Sequence, residues 1–130
     1  MRGHTRRLVG LVVTTSLSTS DIDVMRGDSD SLCAALYTWA CTAIYADTAS
    51  GSHTLYYAET IFSDQVTWNH SLTYNTFVAD SRKVTTHEMG HVEALGHTGF
   101  TAVMHTGAES FYKPQSNDID GIQAIYGAYP

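Results

Sequence analysis

The sequence predicts an α+β domain, and three stretches carry that prediction. "TLYYAETIF", residues 54–62, is rich in β-formers and bounded by turn residues, as a strand should be. "RKVTTHEMGHVEAL", residues 82–95, is the body of a helix at about 80–95. Asp80 or Ser81 can cap it, since either side chain can accept from a free backbone N–H of the first turn. "SNDIDGIQAIYG", residues 116–127, reads as a C-terminal helix at about 116–126. Ser116 or Asn117 caps it, and Asp118 and Asp120 sit near its positive N-terminal end. Ile119, Ile122, Ile125 and Tyr126 make its apolar face, and Gly127 ends it.

The remaining stretches are less regular. "SLCAALYTWACTAIYAD", residues 31–47, fits two descriptions. Leu32, Ala35, Leu36, Trp39 and Ala43 make a helical stripe, while the Tyr, Trp and Thr content suits strands. Residues 48–53 are a turn cluster, and 63–75 read mostly as loop. Residues 98–115 are loop, with Pro114 unable to sit inside a helix. Residues 1–31 are polar and irregular after one apolar patch.

A chain of 130 residues suffices for one domain with one core. Apolar residues make up 43% of it, which is globular rather than disordered composition. The net charge of -6, with no Lys/Arg run, argues against nucleic acid and anionic membrane surfaces as partners. No apolar run approaches membrane-spanning length. The first 20 residues combine Arg2, Arg6 and Arg7 with "LVGLVV" and a Ser/Thr stretch. They read either as a secretory signal or as a truncated upstream region, with Met25 as an alternative start. Residues 1–30 are therefore set apart from a domain at 31–130. Cys33 and Cys41 can bridge if the chain is exported, or stay as small buried thiols. On one helix their eight-residue separation would span ~12 Å, too far to bridge, so a bridge requires a turn or strand pairing between them.

The chemistry concentrates in "HEMGHVEALGH", residues 87–97. His87 and His91 are four apart, so on a helix they project from one face and can reach one Zn²⁺. Glu88 is rotated away from them and can reach a water on the metal without displacing a ligand. His97 follows Gly96, where the chain can double back and supply a third nitrogen. The fourth position would stay open, as in catalytic zinc sites.

This motif resembles that of the metzincin zinc peptidases, H-E-x-x-H-x-x-G-x-x-H. "TAVMHTG" puts Met104 where that family carries a methionine turn. Among metzincins the chain is similar to the matrixins, through "NDIDGIQAIYG" at 117–127 and "AETIFSDQVTW" at 58–68, and the resemblance covers residues 54–130. It implies a metzincin-like catalytic domain with a twisted mixed sheet. His87, His91 and His97 would be the zinc ligands, Glu88 the general base and Met104 a structural floor. The strand at 55–61 would be the edge that binds extended peptide by strand addition. The implied activity is that of a secreted, monomeric zinc endopeptidase acting on extended peptide or protein substrates. One catalytic Zn²⁺ is expected, with no visible Ca²⁺ loop or second zinc site.

The chain departs from the family at three places. Ala94 stands where the motif has glycine, so either Ala94 takes a left-handed conformation or the turn moves to Gly96. Thr106 stands where a proline often follows the methionine, at the wall of the specificity pocket. No cysteine-switch propeptide is seen. Glu109 is a rival third ligand, and Glu93 reads as a solvated helix residue. His4, His53 and His70 lack ligand-spaced partners, and His105 reads as a loop residue. Gly90 allows close packing behind the site, and Trp39 and Trp68 belong to the core or the rim. Two alternatives stand beside the peptidase: a truncated or inactive metzincin-like domain that binds zinc or peptide without turnover, and a zinc hydrolase of non-peptide amides.

Overall fold

Three strands form the sheet around which everything else is placed. In the computed structural model the described residues are 22–33, 38–47, 54–71, 75, 77–106 and 111–128. Strand β1 (Ile22–Gly27) is followed by a short helix α1 (Ser29–Cys33), then β2 (Ala40–Asp47) and β3 (Thr54–Ser63). The sheet order is β1-β3-β2, with β1 parallel and β2 antiparallel to β3. A short parallel pair, β4 (Thr67–Asn69) and β5 (Val78–Asp80), leads into α2 (Ser81–Val92), and α3 (Ser116–Tyr126) closes the described chain.

This order corrects one expectation. The strand at 55–61 is not an edge; β3 is central and hydrogen-bonds on both sides. Two of its residues are small and wholly covered. Ala58 and Thr60 are buried to 1% and 0% exposure, and they leave room for α2 to pack over the sheet. The edge beside the helix is β2.

The stretch read as irregular contains β1, whose successive residues Ile22, Asp23 and Val24 pair with Ala58, Glu59 and Thr60. Asp23 also accepts the Tyr57 hydroxyl at 2.8 Å. That hydrogen bond, with burial, pushes the Tyr57 hydroxyl up to about 12, so the proton stays between the strands. The ambiguous stretch at 31–47 divides between two elements, α1 and β2, and each description fits one end of it. A Cys33–Cys41 disulfide joins the two elements, with Cα atoms 5.9 Å apart. The loop expected at 63–75 holds β4.

Ala40, Val66, Ala79 and Val84 form a buried cluster, with Trp39, Phe62 and Trp68 packed against it. Both tryptophans thus serve the core, as expected. Helix α2 begins at a buried N-cap, Asp80, whose carboxylate accepts the Lys83 N–H at 3.0 Å. The cap of α3 differs from the expected Ser116 or Asn117. It is Gln115, because Asp118 reaches back to accept the Gln115 N–H at 2.7 Å. Gly127 ends α3 with a positive φ of 84°, as its lack of a Cβ permits. The N-terminal basic and apolar stretch, the turn at 48–53, His4, His53 and Glu109 lie outside the described residues.

Candidate metal centre

His87 and His91 lie one turn apart on α2, and the turn after the helix returns His97 to them. That turn forms at Ala94. The helix stops at Val92, short of the expected 95, and Ala94 adopts φ 67°. Its N–H donates to His91 O at 2.8 Å and the Leu95 N–H to Gly90 O at 2.9 Å. This is a helix-ending motif that ordinarily uses glycine at its left-handed residue. Of the two alternatives, the chain takes the left-handed alanine.

The three Nε2 atoms converge. His97 Nε2 lies 3.2 Å from His87 Nε2 and 3.1 Å from His91 Nε2. Their second nitrogens fix which face is bare. His87 Nδ1 donates to Val103 O at 2.7 Å, and His91 Nδ1 donates to Leu95 O at 2.7 Å. A carbonyl only accepts, so each Nδ1 carries the proton, and the tautomer this selects leaves Nε2 as the inward-facing nitrogen for a metal. Without a metal the single proton of a neutral His97 can serve only one of these two contacts, whereas a cation between the three nitrogens satisfies all of them. Tetrahedral ligands held at ~2.0–2.1 Å would stand about 3.3 Å apart, close to the observed spacing. The donor set and its orientation fit a zinc ion, and the three histidines could hold a metal. Burial, the larger cause, and the neighbouring imidazoles hold His87 down at about 4, against an ordinary 6.5, and lower His97 as well.

Glu88 lines the same cleft but shares no atom of the histidine cluster. It is 5% exposed, and burial raises its carboxyl above the usual range, opposed by a Thr42 hydrogen bond and by His91. Thr42 Oγ1 donates to Glu88 Oε2 at 2.6 Å, and Thr60 Oγ1 lies 2.8 Å from Thr42 Oγ1. Neither threonine stood out in the sequence. Their only signal was a shared Thr on two strands, and recognising it required the register Thr42↔Thr60.

Beneath the histidines runs the methionine loop. The Thr98 N–H donates to Met104 O at 3.1 Å, closing it. Val103 and Met104 are 2% and 3% exposed. Asp118 of α3 fastens the loop from below: its carboxylate accepts the N–H groups of Val103 at 2.9 Å and Met104 at 3.1 Å. The sequence placed Asp118 only near a helix end, so this role went unread. The cleft itself has a volume of about 810 Å³ and runs between β2 and α2, with Thr42, Lys83, Glu88 and Thr106 among its walls. Thr106, where the family often has proline, does line it. A separate apolar cavity of about 500 Å³ lies behind Met104, between α2 and α3, and none of the three histidines lines it.

A mixed sheet carrying a helix, a reversing turn and a methionine loop in this arrangement defines a metzincin-like, metalloprotease-type domain. Comparison with known families narrows the class. The matrixin family profile matches residues 41–127, most of the chain, and the chain belongs to that family. Over 50 residues it is 40% identical to matrix metalloproteinase-19 of Mus musculus. That match takes in 35% of this chain and 10% of the mouse protein, so the chain spans only a small part of that relative's length.

Proposed function

We propose that the chain is a zinc-dependent endopeptidase, hydrolysing peptide bonds in an extended substrate. The observation that carries this reading is the convergence of three inward-facing Nε2 atoms with the Glu88 carboxylate on one open cleft. His87, His91 and His97 would hold the metal and leave its fourth position open. Bound there, zinc supplies an acidified water and polarises the scissile carbonyl. Glu88 takes a proton from the attacking water and passes it to the leaving amine. The side of β2 that pairs with no strand among the described residues aligns the substrate backbone by strand addition, the role expected of the strand at 55–61. The Cys33–Cys41 bridge supports action outside the cell, because such bridges persist in oxidising compartments. No described helix is long and apolar enough to cross a membrane.

The test uses the purified protein and its Glu88→Gln variant. Bound zinc is measured alongside cleavage of an unstructured protein, with and without a chelator. Wild type should cleave and lose activity on chelation. Glu88→Gln should keep its zinc and lose about 10²–10⁴-fold in rate. A wild type that binds zinc and cleaves nothing would establish the inactive-domain alternative instead.

A further inference from the structure

We propose that Thr42 is a positioning residue for Glu88, with Thr60 behind it. This rests on the endopeptidase reading and adds to it the device that aims the base. A carboxylate only accepts, so the Thr42 hydroxyl must spend its single proton on Glu88 Oε2. The Thr42 oxygen then has only lone pairs to offer, so Thr60 must be the donor across their 2.8 Å contact. The chain therefore has one polarity: Thr60 to Thr42 to Glu88.

The placement of these groups argues for aiming rather than simple adhesion. Thr42 and Thr60 are register partners on adjacent strands, and Thr60, on the central strand, is fully buried. Both are β-branched, with few side-chain rotamers to choose from. Glu88 is unbranched at Cβ and has three side-chain torsions to fix. Tying Oε2 to the middle of the sheet leaves Oε1 for the attacking water. A charge-assisted bond of 2.6 Å is strong enough to hold that choice. Thr42 also stands on β2, the strand proposed to seat the substrate, so one strand would register both the peptide and the base.

The test compares wild type with Thr42→Val, Thr42→Ser and Thr60→Val, reading kcat, KM and bound zinc on one unstructured peptide. Thr42→Val keeps the shape and removes the hydroxyl. Its kcat should fall about 10–100-fold, as for other groups that orient a catalytic shell, with KM and zinc unchanged. Thr42→Ser should recover most of the loss, and Thr60→Val should show a smaller loss in kcat alone. If Thr42→Val does not fold, Thr60→Val carries the same test. Wild-type kcat in the valine variants overturns the proposal. So does a loss that appears in KM or zinc content, or one that serine fails to rescue. A zinc-loaded wild type without activity overturns the endopeptidase reading and this one together, whereas an active wild type matched by Thr42→Val overturns this one alone.

Discussion

The sulfur of Met104 occupies the space that a side chain at Gly90 would need. Gly90 sits between the two helix histidines, so the floor of the site is fitted to a missing Cβ. The close packing expected of this glycine is thus packing against the methionine loop. Gly90→Ala should push that loop away from α2. Overpacking of this kind costs about 1–3 kcal/mol, and the upper end is expected because the Met104 loop is tied down by Asp118. Chemical denaturation checks the stability, and metal titration should show weaker binding as Val103 O draws back from His87. Unchanged values for both would mean that Met104 simply moves aside.

Ala94 holds φ 67°, a conformation that costs an alanine about 1–2 kcal/mol and glycine nearly nothing. Ala94→Gly should therefore stabilise the protein, by roughly 1 kcal/mol after glycine's extra freedom in the unfolded chain is subtracted. Ala94→Val should do the reverse and release His97. Equilibrium unfolding of the two variants is the check, and a glycine variant less stable than wild type would rule out strain at this turn.

Acid should unfold the metal-free protein through His87. Its folded value, about 4, lies below the ordinary 6.5, mainly because of burial. A group depressed on folding binds its proton more tightly when unfolded. Its contribution is complete above 6.5 and is lost as pH falls towards 4. His97, also lowered, adds to the same slope. Glu88 has the opposite sign: its raised carboxyl favours the folded state when protonated and costs stability as pH rises past its ordinary 4.5. Stability without metal should therefore fall between about pH 6.5 and 4. Zinc should move that fall to lower pH, further at higher zinc concentration. Following unfolding and bound metal against pH at two zinc concentrations decides it. A midpoint that ignores zinc would remove the histidines from the explanation.

The local chemistry of the site was legible because it is local. His87, Glu88 and His91 share one helix, and His97 follows within a single turn, so spacing alone brings them together. Strand order was not legible, because β3 and β2 are both rich in β-formers and nothing in either composition says which has two neighbours. The bonds from Thr42 to Glu88 and from Asp118 to the methionine loop span 46, 15 and 14 residues. Contacts of that range depend on register and docking, which no periodicity encodes.

Asp118 makes α3 part of the floor beneath the three histidines. Its carboxylate holds the Val103 and Met104 N–H groups, and Val103 in turn accepts the proton that sets the tautomer of His87. A nick or stop codon ahead of Ser116 would therefore do more than trim a terminus. It would leave the buried Val103 and Met104 N–H groups unanswered and loosen the carbonyl that holds the His87 ring. A protease-resistant fragment that keeps the site should therefore retain α3 whole.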